Sequence, residues 1–199
     1  RYYDISFSPN NKNSSFNWLE KTESAITDSV NSQLISDVPF GVFLSGGIDS
    51  TLVALKMSKI LDRPLKAFTI GFNEEKYSEL KYAEHAAKKI GVELVSEIVT
   101  ENGTDVLPKL INDHYGEPFG DPSAIPTWFV SRLARKEVTM ALTGDGGDEM
   151  FGGYHSYQSW TRNTPKNIIH NKIKLKQYSG IPRYILGTYK EYLKNGKSL

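Results

Sequence analysis

The chain has 199 residues, 39% of them apolar and 24% charged, and 24 Lys+Arg against 23 Asp+Glu leave a net charge of +1. That balance describes one soluble domain, or one domain with part of a second, and argues against disorder and against a dedicated nucleic-acid surface. There is no cysteine, which excludes disulfides, thiolate metal sites and a cysteine nucleophile and fits a reducing cytoplasm, and no run approaches the ~20 apolar residues of a membrane span.

Residues 1–16 are polar around Ser8-Pro9-Asn10-Asn11 and read as a linker. Arg1-Tyr2-Tyr3-Asp4 shows no signal-peptide pattern and no initiator Met, so the expectation is a piece of a longer protein. Trp18 to Ile35 has apolar residues at helical spacing and predicts a helix lying on an apolar surface. Phe40 to Leu44 is a short apolar run ending at a glycine pair, the pattern of a buried strand. A helix follows from Asp49 to Ile60, then a strand from Leu65 to Phe72, a helix from Ser78 to Ile90 stopped by Gly91, and a strand from Val92 to Val99. Asp105 to His114 and Ser123 to Lys136 read as helices, and Val138 to Leu142 as a buried strand. Strands alternating with helices predict an α/β fold, a parallel sheet with helices on both faces. Beyond Tyr154 the alternation stops. The division expected is a linker over 1–16, one α/β domain over 17–155, and over 156–199 a helical extension that begins a further region.

Leu44-Ser45-Gly46-Gly47-Ile48-Asp49-Ser50 joins the first strand to the second helix. Its glycines allow a sharp turn and close backbone approach, and the helix directs free N–H groups and its positive end at the loop. With two serine hydroxyls this is a phosphate or pyrophosphate cradle. It is not a Walker A loop, because no lysine follows the glycines. Asp49 would repel a bare phosphate and makes sense with magnesium between them. A plain glycine turn capped by Asp49 or Ser50 is the structural alternative. Thr143-Gly144-Asp145-Gly146-Gly147-Asp148-Glu149-Met150-Phe151-Gly152-Gly153-Tyr154 sets three carboxylates among glycines directly after the last strand. Such crowding needs a cation or basic partner, and magnesium pyrophosphate supplies one; an exposed acidic turn is the alternative, weakened by the apolar Met150-Phe151 that follows. Both segments follow strands, so they are expected on one rim of the sheet, near the point where strand order reverses.

The first string resembles the PP-loop of enzymes that split ATP into AMP and pyrophosphate. The second resembles the other signature of asparagine synthetases, Ser-Gly-Glu/Asp-Gly-Ser/Gly-Asp-Glu followed by Phe-Gly-Gly-Tyr. Ser36-Asp37-Val38-Pro39 and Glu117-Pro118-Phe119-Gly120-Asp121-Pro122-Ser123 are similar to stretches of that family too, so the likeness runs from about Trp18 to Tyr154. It implies the PP-loop ATPase fold, of the adenine-nucleotide alpha-hydrolase type. Leu44 and Ile70 would meet adenine or ribose. Ser45, Gly46, Gly47 and Ser50 would hold phosphates, and Thr143 and Gly144 would touch the nucleotide from the other side. Asp49 and Asp148 would hold magnesium. Asp145 matches a family glutamate linked to formation of the acyl-adenylate and to ammonia handling, one methylene shorter.

The chemistry so implied is attack of a carboxylate, by default that of aspartate, on the α-phosphate of ATP, then displacement of AMP by ammonia to give asparagine or a related amide. The family's glutaminase domain, with its terminal cysteine, and a later pyrophosphate-binding lysine are not in this sequence, so these 199 residues alone are expected to bind ATP and make little product. Two rival readings fit the residues less well. A tRNA-modifying PP-loop enzyme needs cysteines or a basic surface that this chain lacks; a non-catalytic nucleotide-binding module would not need intact acids in both loops. His85, His114, His155 and His170 show no metal-ligand spacing.

Overall fold

The computed structural model describes residues 15–74, 78–118 and 120–157. The expected linker up to residue 14 and the extension from residue 158 lie outside the described residues. The chain divides into two compact units between Gly146 and Gly147, and each is described by itself.

The first unit is built on four parallel strands, β1 (Phe40–Phe43), β2 (Lys66–Phe72), β3 (Glu93–Val99) and β4 (Met140–Leu142). Their order across the sheet is β3-β2-β1-β4. In register, Val42 stands opposite Ala67 on one side and Leu142 on the other. β2 and β3 pair along their whole length, from Lys66 with Glu93 to Phe72 with Val99. β1 is central and buried on both faces, which is why its sequence is a continuous apolar run with no polar alternation. Gly41 is required within it, since a Cβ there would lie 2.6 Å from the Phe68 ring and 2.8 Å from the Lys66 carbonyl oxygen.

Helices cover both faces, as expected. On one face lie α1 (Ser15–Gln33), α2 (Ile48–Ile60) and α3 (Leu80–Ile90), around a core of Val30, Val42, Leu44, Ala54, Met57 and Ala67. α3 presents Ala83, Ala86 and Ala87, three small residues at helical spacing that allow a close approach to β2 and β3. Gly91 ends it in the left-handed region at φ 83°, its N–H bonded to the Ala87 carbonyl. Lys56 of α2 is nearly buried and meets Glu23 of α1 at 2.7 Å. Only the inner stripe of α1 is covered: Val30 is buried, whereas Trp18 and Leu19 are exposed.

On the other face α5 (Ala124–Ala134) packs Phe129, Leu133 and Ala134 over β2 and β3, with Phe68 fully buried beneath. Arg132 of α5 bonds Glu97 of β3 at 3.0 Å and Glu101 at 2.8 Å, and Lys136 bonds Glu97 at 2.8 Å.

The segment expected as one helix over 105–114 is helical but not one α-helix. A 3-10 turn at Gly103–Val106 leads into α4 (Leu107–Lys109) and a π-helical turn at Leu110–Tyr115. Asn102 caps the first turn, and Pro108, lacking an N–H, sits where an α-helix can begin but not continue. β4 is shorter than the Val138–Leu142 run and only half-buried; Thr139 N–H instead bonds the Pro39 carbonyl at 2.9 Å.

Of the second unit the described part is 147–157, beginning with a short helix, α6 (Gly147–Phe151), that the glycine-rich sequence gave no reason to expect. The apolar pair after the acidic string is not buried among the described residues: Met150 is 78% and Phe151 61% exposed. Their hydrophobicity therefore does not separate this segment from an exposed turn, as the sequence reading supposed.

Candidate nucleotide site

The loop after β1 is fixed at both ends. Leu44, 1% exposed, donates its N–H to the Phe68 carbonyl at 2.9 Å, continuing the sheet pairing by one residue. Ser45 and Ser50 then tie the loop into the first turn of α2. Their hydroxyls lie 3.0 Å apart, Ser45 N–H donates to Ser50 Oγ at 3.3 Å, and Gly47 N–H donates to Ser45 Oγ at 3.2 Å. The N-cap is Gly47, which has no side chain to close the helix end. The first-turn amides of α2 are left without a capping acceptor, which is the condition for binding an anion there. The serines thus shape the loop, in addition to the phosphate contacts expected of them.

Gly46 is the sharpest constraint. Its φ is +83°, and a Cβ would lie 2.6 Å from Tyr82 Cβ and 2.7 Å from Ala83 N. The loop therefore rests directly on the first turn of α3.

The reversal of strand order falls between β1 and β4: β2 and β3 lie to one side of β1, and β4 lies to the other. The two loops leaving that point meet. A Cβ on Gly144, just after β4, would lie 2.6 Å from Ser50 N and 3.0 Å from Asp49 Cβ, so the backbone after β4 is pressed on the start of α2. Thr143 Oγ1 accepts from Asp145 N–H at 3.2 Å and shapes that turn, and Gly146 follows at φ +88°. Asp49 is half-buried and Asp145 exposed.

Beside Ser45 a cleft of about 300 Å³ opens at the carboxyl ends of β1 and β2. Leu44, Ser45 and Ile70, three of the residues assigned to the nucleotide by their motif positions, line it. So do Thr69, Phe72, Glu79, Thr127 and Val130, which no motif marks. Their common feature is a position in the second half of β2, just before α3 or on the facing stretch of α5, which is a property of topology and not of local sequence. A larger open cleft of about 630 Å³ lies elsewhere, along α5 and β4, and includes Lys109, Trp128 and Arg132. It contains none of the motif residues.

Asp148, expected as a magnesium ligand, belongs to the second unit. There the chain turns back on α6 through Gly152 at φ +69°, and Gly153 N–H bonds the Asp148 carbonyl at 3.0 Å. A Cβ on Gly153 would collide with Asp148 Oδ1. Tyr154 donates its hydroxyl to Glu149 at 2.7 Å. That bond lowers the Glu149 carboxyl below its ordinary range and pushes the Tyr154 phenol up to about 12. The glycines and Tyr154 thus serve the shape of the acidic segment. Among the described residues no three His, Asp or Glu side chains gather as a metal-ligand set. A magnesium held by one or two carboxylates and completed by phosphate oxygens needs no such set.

The family model described as "Asparagine synthase" matches residues 21–192. The glutamine-hydrolysing asparagine synthetase 1 of Bacillus subtilis is 40% identical over 165 residues, covering 82% of this chain and 24% of its own. A relative from Methanocaldococcus jannaschii is 37% identical over 167 residues, covering 80% of this chain and 32% of its own. Among solved structures, the NH3-dependent NAD synthetase of Campylobacter jejuni aligns at a TM-score of 0.45 and 17% identity, over 68% of this chain and 60% of that one. The chain thus spans a third or less of the curated relatives it matches.

Proposed function

Since this chain belongs to the asparagine synthase family, we propose that it is the ATP-using part of a glutamine-dependent amidotransferase, one that activates a carboxylate by adenylation. An oxygen of the substrate carboxylate attacks the α-phosphorus, the bond to the bridging oxygen breaks, and pyrophosphate leaves. Ammonia then attacks the acyl carbon, AMP leaves, and a proton is lost to give the amide. Aspartate is the default acceptor, with asparagine the product. Ammonia would come from a glutaminase partner domain, and the setting would be the cytoplasm; no described helix is long and apolar enough to cross a membrane.

The observation that carries this reading is the meeting of the two glycine loops at the reversal point, where Gly144 lies against the first turn of α2. Open α/β sheets bind ligands at that place. The residue roles follow the motifs. The amides of Gly47 and α2, with Ser45 and Ser50, hold phosphates. Leu44 and Ile70 meet the nucleoside, and Thr143 and Gly144 close the other side. Magnesium, which neutralises charge on the departing pyrophosphate, would be held by Asp49 and by Asp148; for Asp148 the motif alone is the support. Asp145 is the residue assigned to the acyl-transfer steps. Most of the catalysis is positioning and charge stabilisation, since the substrate carboxylate is itself the nucleophile.

The test is calorimetric titration with magnesium-ATP of the protein as its gene encodes it, alongside Asp49→Ala with Asp148→Ala. Micromolar to millimolar binding that is lost in the double variant is expected. Equal binding by both proteins would remove the metal assignment. Absence of binding by a folded wild-type protein would overturn the nucleotide reading.

A further inference from the structure

A nucleotide seated at this site needs a polar side chain that recognises its sugar, and Leu44 and Ile70, assigned to adenine or ribose, offer only apolar and backbone contact. Among the described residues that line the cleft beside Ser45, one has an ionisable side chain, Glu79. Its place is set by packing. Gly71 at the end of β2 has no side chain, and a Cβ there would lie 3.2 Å from both Ser78 Oγ and Leu80 Cδ2. The 78–80 stretch can therefore fold down on the rim of the sheet. One turn further on, Tyr82 and Ala83 carry the phosphate loop through their contact with Gly46. Glu79 thus stands between the end of β2 and the cradle.

Glu79 is the N-cap residue of α3 but makes no side-chain cap bond, and its carboxylate forms no ion pair among the described residues. Asp, Asn, Ser and Thr are the residues that cap well; a glutamate here is not explained by capping. It remains exposed on the cleft wall. An ionised carboxylate only accepts hydrogen bonds, and it repels phosphate. With phosphates placed at α2 and apolar Ile70, Phe72 and Val130 available to the base, the ligand group that fits a carboxylate between them is a neutral pair of donors. Resting on the nucleotide reading above, we infer that Glu79 binds the ribose hydroxyls of ATP and makes the site selective for a ribonucleotide. An acidic residue plays this part on the ribose of dinucleotides in other doubly wound sheets, also on the rim near a glycine loop.

The experiment compares ATP, 2′-deoxyATP, 3′-deoxyATP and inosine triphosphate by calorimetry, on the intact wild-type protein and on Glu79→Gln and Glu79→Asp. Wild type should bind at least one deoxy analogue about tenfold or more weakly than ATP, the scale of a hydrogen bond to a charged group. Glu79→Gln should weaken ATP by a similar factor and leave that analogue almost unchanged, so that the discrimination collapses. Glu79→Asp should recover part of it. A merely structural role would lower all ligands together, and thermal melting of the variants reports that case separately. A ratio of ATP to deoxyATP unchanged in Glu79→Gln overturns the inference and leaves the nucleotide site standing. Loss of discrimination against inosine triphosphate alone would overturn it in favour of the adenine amino group. If wild type bound none of these nucleotides, both readings would fall.

Discussion

Glycine decides most at the scale of single residues, and it does so for two different reasons. Gly46 needs its positive φ as well as its missing Cβ. Gly144 does not have a positive φ and needs only the space. Gly46→Ala should destabilise the fold by about 1–3 kcal/mol from backbone strain, and it should also push the loop off α3 and weaken ATP binding. Gly144→Ala should leave the unfolding midpoint nearer wild type, yet still reduce ATP binding, because the moved atoms lie at the start of α2. Urea melts paired with calorimetry separate the two; equal effects on both quantities in both variants would refute the distinction. Tyr154 offers a residue-scale check on the second unit. Its phenol should stay protonated to about 12, and Tyr154→Phe should let the Glu149 carboxyl rise toward its ordinary value, as read by NMR titration. These motif residues were legible in the sequence, because a glycine-and-acid string is a local signal. Glu79 was not, because its meaning comes from Gly71 and Gly46, which bring it to the cleft from separate parts of the chain.

Between elements, the contact most open to test is the ion cluster joining β3 to α5. Lys136 and Arg132 both bond Glu97 and lower its carboxyl below the ordinary range, the Lys136 bond contributing most. A carboxylate whose folded-state value is lowered contributes stability above its unfolded value and loses it as pH falls through the folded one. The cluster should therefore hold at neutral pH and fail on acidification below the ordinary carboxylate range. Glu97 and Arg132 are about a third exposed and Lys136 more than half, so screening limits Glu97→Gln to about 1 kcal/mol or less at neutral pH. The loss should vanish in molar salt. Phe68, beneath α5 and fully buried, is the contrasting case. Phe68→Ala should cost about 3–5 kcal/mol whatever the salt, a large share of the stability of a domain of this size. The helices and strands themselves were mostly readable, with ends shifted by one to three residues. The exception, the segment from Gly103 to Tyr115, has apolar residues at helical spacing, but Pro108 and local capping by Asn102 divide it into three turns that periodicity alone does not distinguish.

For the whole molecule the consequence is linkage. Magnesium-ATP that binds only the folded chain should raise its unfolding free energy by about 2.7 kcal/mol at a hundredfold excess over Kd. Thermal melting should show an upward shift with magnesium-ATP, a smaller one with ATP and chelator, and none with either in Asp49→Ala combined with Asp148→Ala. A shift of the same size in that variant would mean that the ligand binds elsewhere.

The sequence by itself determined the class of fold and the place of the two glycine loops on its rim. Alternating strand and helix periods predict a parallel sheet, and a glycine loop that directly follows a strand falls at the carboxyl end of that strand, because both are consequences of local backbone geometry. Only the tertiary structure decided that β4 lies beside β1 on the side away from β2, which brings Gly144 onto α2. It alone set Glu79 and Thr127 into the same cleft as Ser45. Strand order depends on which apolar faces pack together across the whole chain, and no local pattern records it.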